Sequence, residues 1–281
     1  MAWNAVDNIL RRAVERGMYR RKKSRPKHIA IDETSFQKRD EYVSVVTNQQ
    51  TGAVGFVADG RTVDALNPYY HGLGSAGCAR IESVSMDMWP AYINATFTYI
   101  HEAASKICFD KFYVAQNIGI AVDRIRRSEH RELMQDGDSR LKGTKYYWLM
   151  NPENMSKIID DEFRRIRDST LRTSTALAIK EHAMCVWNYV SATWAEKAWR
   201  KWIEIAASTQ MPALIKAAST VSNHLYGIIN AIVLRSSNAV AESINSMIQR
   251  VKARARGFRN RKCIKTAIIF HCGQLDLYPD S

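Results

Sequence analysis

His28-Ile29-Ala30-Ile31-Asp32 is where the chain stops reading as helix and starts reading as sheet. Upstream, Val6, Ile9, Leu10 and Val14 recur at helical spacing, which makes residues 1–18 a short amphipathic helix. The basic stretch that follows, and Pro26, end it. Downstream, Ile29-Ala30-Ile31-Asp32, Tyr42-Val43-Ser44-Val45-Val46 and Ala53-Val54-Gly55-Phe56-Val57 read as strands. Asn48-Gln49-Gln50-Thr51-Gly52 supplies hairpin-turn chemistry between the last two. A helix from about Val63 and a strand over residues 81–87 come next. A helix opening at Pro90 and running to about Ala104 precedes a fifth strand over residues 106–110. Antiparallel-looking strands followed by alternating helix and strand make a mixed α/β pattern.

After Asp110 the strands stop. Val114, Ile118, Val122, Ile125 and Leu133 form one helical stripe, with a charged face at Asp123-Arg124-Ile125-Arg126-Arg127. Residues from about 153 to 230 read as helix after helix, rich in Ala. The Trp187, Trp194, Trp199 and Trp202 series, set in apolar company, reads as core packing rather than base stacking. The last strong helix opens near Ser236-Ser237-Asn238, residue types that cap helices well. Val240, Ile244, Met247, Ile248 and Val251 are its buried stripe, and Glu242, Asn245 and Gln249 recur on roughly the opposite face.

The length of 281 residues and the 46% hydrophobic content allow one large domain or two ordinary ones with a substantial core. Nothing approaches the roughly 18 consecutive apolar residues of a membrane span, and the N-terminus does not read as a signal peptide. An intracellular, soluble protein is expected. The five cysteines are odd in number and lack Cys-x-x-Cys spacing, so they read as structural. The net charge of +13 points to a polyanion partner. Its placement is more informative than its size. Six of the nine residues 19–27 are basic, as are seven of the thirteen residues 250–262, and both clusters flank candidate catalytic residues.

Asp32, Asp87 and Asp110 each sit at the C-terminal end of an apolar strand. A carboxylate there is costly to desolvate unless it faces a cleft, a donor or a cation. Neighbouring strand ends can bring carboxylates together, and Mg²⁺ is bound by few carboxylates while working on substrate phosphates. Two such ions about 4 Å apart can activate a water or 3′-hydroxyl and stabilise the leaving oxygen. Other chemistries lack their residues. There is no phosphate-binding Gly-x-x-x-x-Gly-Lys loop, no Gly-x-Gly-x-x-Gly after a strand, no His-Glu-x-x-His and no Gly-x-Ser-x-Gly, and the seven histidines are scattered.

Taken together, the segments Ile31-Asp32-Glu33-Thr34-Ser35, Val84-Ser85-Met86-Asp87-Met88-Trp89-Pro90-Ala91-Tyr92 and Phe109-Asp110-Lys111-Phe112-Tyr113-Val114 resemble the DDE transposases of bacterial insertion sequences, most closely the ISL-three family. Ala121 to Arg127, Ser237 to Asn245, Arg254 to Asn260 and Gly273 to Pro279 extend the likeness over nearly the whole chain. The resemblance implies an RNase-H-like mixed sheet flanked by helices, with a long all-helical insertion before the catalytic glutamate. It implies residues 1–27 as an N-terminal helix and basic linker, 28–124 as the first part of the core, 125–230 as the insertion, and 231–281 as the last core helix with a basic C-terminal segment. Asp32, Asp87 and Glu242 match the family's catalytic, metal-holding acids, which take two Mg²⁺ or Mn²⁺ ions. Asp110, Tyr113 and Asn245 are expected beside the metal site. DNA is the implied partner, bound by a homo-oligomer through Arg20, Arg21, Lys22, Lys23, Arg250, Lys252, Arg254, Arg256 and Arg259. The implied setting is the bacterial cytoplasm, on the nucleoid.

The sequence departs from the family pattern in three places. Tyr113 replaces the histidine of an Asp-x-x-His signature, and a tyrosine cannot take up a proton near neutral pH. Ala239 and Ser243 stand where the family usually has glycines. Members also begin with a zinc-binding segment and a helix-turn-helix, and the chain starts after the point these would occupy. The leading expectation is a transposase core performing strand cleavage and strand transfer. A DNA-binding remnant that is weak or inactive, and an RNase-H-like nuclease outside transposition, are the alternatives.

Overall fold

The apolar run that opens at His28 becomes the central strand of a five-stranded sheet. A computed structural model of the chain describes residues 3–22, 25–37, 41–150, 156–169, 171–236, 239–258 and 260–279. Lys23, Ser237, Asn238 and Arg259, singled out above, lie outside the described residues. The chain forms two compact units, Met1–Asp110 with Leu234–Ser281, and Lys111–Val233.

In the first unit, β1 (His28–Gln37), β2 (Glu41–Asn48), β3 (Ala53–Asp59), β4 (Ser83–Met86) and β5 (Ile107–Phe109) are arranged in the order β3-β2-β1-β4-β5. β1 pairs antiparallel with β2, and β2 with β3, while β4 runs parallel to β1 and β5 parallel to β4. The connections account for this division. A tight turn reverses the chain between β2 and β3, with Gly52 at φ 72° and its N–H bonded to Asn48 O at 2.8 Å. A parallel return instead requires a crossover. Helix α2 (Val63–Ala79) supplies it between β3 and β4, and α3 (Pro90–Tyr99) with the short α4 (Ala103–Lys106) supplies it between β4 and β5. The single helix expected from Pro90 to about Ala104 is therefore two. Ile100 leaves α3 in an extended conformation with its side chain buried, and Glu102 turns at φ 55° before α4 begins.

Helices cover both faces of the sheet. Val43, Val45, Val54 and Val57 pack against Ile244 and Ile248 of α12 (Ala239–Arg254) and Ile264 and Ile268 of α13 (Arg261–Cys272). Ser44, one residue out of phase with Val43 and Val45, faces the other way, where its Oγ meets Tyr92 Oη of α3 at 2.7 Å. Helix α1 (Trp3–Arg20) packs on α13. Its Gly17 lets the C-terminal tail come so close that a Cβ there would stand 2.8 Å from Leu275 Cβ.

The second unit is helical throughout its described residues: α5 (Lys111–Gln135), α6 (Lys145–Leu149), α7 (Lys157–Arg167), α8 (Arg172–Val186), α9 (Ala192–Ser208), α10 (Pro212–Asn223) and α11 (Leu225–Val233). Helix α5 runs unbroken through residue 124, and the unit begins at its first residue. Trp148, Trp199 and Trp202 are fully buried, and the small side chains of Ala176, Ala183, Ala195 and Ala206 let the helices approach them. Trp202 Nε1 donates to Ile179 O at 2.7 Å. The core reading fails for Trp194, which is 60% exposed, and holds only in part for Trp187, which is half-buried. Helical spacing alone assigned all four to the core, but Trp194 lies in the first turn of α9, off the stripe that carries Trp199 and Trp202. Glu129 of α5 is buried because it caps α8. It accepts from Arg172 N and Thr173 N, each at 2.8 Å, and from Thr173 Oγ1 at 2.6 Å. Among the described residues, no helix is long and apolar enough to cross a membrane.

Candidate active site

The strand registers set three aspartates side by side. Ala30 of β1 pairs with Ser85 of β4, and Ser85 pairs with Cys108 of β5. Two residues further along come Asp32, which lies inside β1 rather than at the strand end the sequence suggested, and Asp87 and Asp110, just past the last residues of β4 and β5. Neighbouring strands lie about 4.8 Å apart, and residues two apart on a strand share a face. Parallel β1, β4 and β5 therefore carry their acids toward the same end of the sheet, and of the three Asp32 and Asp87 are near enough to repel each other.

Helix α12 closes that side. Asn245 Nδ2 donates to Asp32 Oδ2 at 2.6 Å, Gln249 Nε2 donates to Thr34 Oγ1 at 3.1 Å, and Lys252 Nζ bonds Ser35 O. The polar stripe of α12 thus meets β1, where the sequence suggested a face turned away from the packing. The other Asp32 oxygen, Oδ1, accepts from Glu33 N at 2.8 Å. Just ahead of α12, Ser236 Oγ reaches Ser85 Oγ at 2.6 Å, which pins the approach of the helix to the level just below the acids.

Asp87 and Asp32 repel each other. Burial first, and then the Asp32 charge, push the Asp87 carboxyl up to about 6, against the lowering effects of the Trp89 N–H and of Arg61. Trp89 N donates to Asp87 Oδ1 at 3.1 Å. Asp110 is buried, and its N–H bonds Met86 O at 3.4 Å. Glu242 lies one turn before Asn245, so helical spacing places it on the same side of α12, but it is exposed. Among the described residues, no group of three or more His, Cys, Asp and Glu side chains is arranged to hold a metal. Asp32 and Asp87 come together, and Glu242 does not complete a trio with them. Tyr113 belongs to the helical unit.

The basic residues divide. Arg20 Nη1 donates to Tyr278 O at 2.7 Å and pairs with Asp276 at 3.3 Å, so it holds the C-terminal tail. Arg21 Nη1 donates to Val54 O at 3.1 Å, and burial lowers its pKa. Lys252 braces the helix against β1. Lys22, Arg250, Arg254 and Arg256 are exposed.

Sequence reasoning missed a cluster beside the acids. Arg61 follows β3, its guanidinium lies 4.3 Å from the centre of the Tyr42 ring and 4.4 Å from that of Trp89, and its Nη1 is 3.6 Å from Glu33 Oε1. Burial, and then Asp87, raise the Glu33 pKa, while Arg61 lowers it. Glu33 and Trp89 lie inside the segments read as motifs. Arg61 has no such signal, because only the turn at Gly60 brings it across β2.

The sequence model of the ISL-three DDE family, described as a transposase, matches residues 29–268, a span that takes in Asp32, Asp87 and Asp110, α12 and most of α13. The chain belongs to this transposase family. It is similar to the transposase for insertion sequence element IS1001 of Bordetella parapertussis, with 24% identity over 265 residues, covering 93% of this chain and 65% of that protein. It is also similar to the transposase for insertion sequence element IS1557 of Mycobacterium tuberculosis, with 24% identity over 261 residues, covering 85% of this chain and 58% of that one. The chain therefore spans less than two thirds of the length of either relative. No solved structure matches it. In this transposase family member, the mixed sheet with helices on both faces is consistent with an RNase-H-like fold.

Proposed function

We propose that the chain is the catalytic core of a DNA transposase, performing metal-dependent strand cleavage and strand transfer at the ends of an insertion sequence. The pairing of Asp32 with Asp87 carries this reading. Two carboxylates emerge from adjacent parallel strands, and one is held back from ionising by burial and by the other's charge. A divalent cation between them would relieve that repulsion. The donor set suits Mg²⁺ or Mn²⁺, since Mg²⁺ takes one or two carboxylates and completes its shell with water and substrate phosphate oxygens. We assign Glu242 as the third acid, serving a pair of ions in the working enzyme.

When bound, such ions activate a water or 3′-hydroxyl and stabilise the leaving oxygen. The protein's own residues position and support that chemistry. Asn245 and the Glu33 N–H fix the rotamer of Asp32, one through each carboxylate oxygen. The Trp89 N–H does the same for Asp87 through one oxygen. Asp110 and Asn245 support the site from within the same unit. We read the first unit as an RNase-H-like core and Lys111–Val233 as the helical insertion. The partner is DNA, bound by a homo-oligomer, and the setting is the bacterial cytoplasm at the nucleoid.

The test is conversion of supercoiled plasmid to nicked circle by purified protein with Mg²⁺ or Mn²⁺. Nicking should require the metal, stop on chelation, and disappear in Asp32→Asn and Asp87→Asn proteins that keep the wild-type melting profile. Nicking that survives both substitutions would remove these carboxylates from the chemistry.

A further inference from the structure

We infer that Arg61 is a DNA phosphate-binding residue of this site, placed to receive a backbone phosphate beside Asp32 and Asp87; the inference rests on the transposase reading above. The first ground is how thoroughly the residue is held. Gly60, at φ 77°, donates its N–H to Tyr42 O at 2.9 Å and accepts from Ser44 Oγ at 2.7 Å. The Arg61 carbonyl accepts from Trp89 Nε1 at 2.8 Å. The guanidinium is then stacked against Tyr42 and Trp89, with Glu33 beside one nitrogen. An arginine fixed at backbone, stem and head loses little freedom on taking a ligand.

The second ground is what remains free. A guanidinium has five N–H donors in its plane and none on its faces. The two rings lie 4.3 and 4.4 Å from the guanidinium carbon, and Glu33 approaches Nη1 at 3.6 Å, which is longer than a hydrogen bond. About a third of the side chain stays accessible, at 32%. The planar fork suits two phosphate oxygens better than a lysine would.

The third ground is charge. Asp32, Glu33 and Asp87 gather negative charge where a phosphate must enter, and a cation at the metal position offsets part of it. Arg61 acts electrostatically on both Glu33 and Asp87, so a permanent positive charge stands beside the acids before any metal arrives. Trp89 joins the two halves. Its backbone N–H holds Asp87, while its indole holds the Arg61 carbonyl and stacks on the guanidinium.

The experiment measures affinity of the full chain for a short fluorescent duplex across a KCl series in EDTA, and Mg²⁺-dependent plasmid nicking alongside, for wild type, Arg61→Ala and Arg61→Lys, each with a melting curve. Arg61→Ala should lower the slope of log K against log salt by about 0.9, the value of one duplex phosphate contact. Arg61→Lys should keep the wild-type slope and yet nick at least tenfold more slowly, because the charge remains and the fork is lost. An Arg61→Ala protein with the wild-type slope overturns the inference. Should Arg61→Ala fail to fold, the lysine variant decides alone, and wild-type nicking by it overturns the inference. If wild type binds DNA but does not nick with metal, the transposase-core reading fails, while the EDTA slopes still judge Arg61. If wild type binds no DNA, both fall.

Discussion

Asn245 donates to Asp32 across 213 residues, at 2.6 Å, and through this bond the last part of the chain orients an acid set by the first strand. Asp32 is buried at 7% exposure, so losing that donor removes a hydrogen bond from a desolvated carboxylate. Asn245→Leu should lower unfolding stability by about 1–3 kcal/mol in urea titrations, the range for a hydrogen bond to a charged group. It should also slow nicking, with duplex affinity in EDTA held within about twofold, since one neutral side chain contributes no counterion release. Unaltered stability would mean that water replaces the amide.

Asp87 makes the opposite prediction for stability. Its folded pKa of about 6 exceeds its ordinary 3.8, so the folded protein holds this proton more tightly than the unfolded chain. The resulting stabilisation is fully present below pH 4 and is lost as pH rises through 6. Asp87→Asn removes a charge that the metal-free fold disfavours and keeps an oxygen for the Trp89 N–H. In EDTA at pH 7.5 it should melt a few degrees above wild type, with the gap closing by pH 4, and it should not nick. A melting temperature below wild type at pH 7.5 would show that the carboxylate contributes more through its hydrogen bond than it costs through burial.

The exposed basic residues should act on DNA, and the engaged ones on the fold. Replacing Arg250, Arg254 and Arg256 together by Ala should flatten the salt dependence of duplex binding without moving the melting temperature. Lys252→Ala should lower the melting temperature instead, since Lys252 braces α12 on the Ser35 carbonyl. Equal effects of both on the salt slope would return Lys252 to the DNA-facing set.

Much of the first unit was legible in the sequence because its signals are local. Apolar runs ending in Asp gave β1, β4 and β5, and Gly52 with its polar neighbours gave the turn. The order of the strands was not legible, because register between β1 and β4 is decided by a crossover helix and by burial on both faces. The resemblance placed Asn245 near Asp32, while helical spacing put its stripe opposite the buried one. A helix at a sheet edge can bury its apolar residues over β2 and β3 while its polar residues reach β1. The Arg61 cluster was illegible, since a positive-φ glycine followed by arginine resembles any exposed turn.

The two buried tryptophans of α9 differ in one respect that separates packing from hydrogen bonding. Trp199 and Trp202 both have zero exposure and stack edge to face with ring centres 5.5 Å apart. Trp202 Nε1 donates to Ile179 O at 2.7 Å, whereas Trp199 Nε1 is buried without a partner. Alanine at either position opens a ring-sized cavity and should cost about 3–5 kcal/mol. Phenylalanine separates them. Trp199→Phe removes an unsatisfied N–H along with some volume, so its loss of apolar contact is partly offset. Trp202→Phe loses comparable volume and also leaves the Ile179 carbonyl without its indole donor, which adds about 1 kcal/mol or more. Urea denaturation should therefore rank Trp202→Phe below Trp199→Phe, and Trp194→Ala, exposed on the first turn of the same helix, should melt with wild type. The reverse order of the two phenylalanine variants would mean that Trp199 finds a water or a π face that compensates its N–H, and that the core of the helical unit rests on that ring.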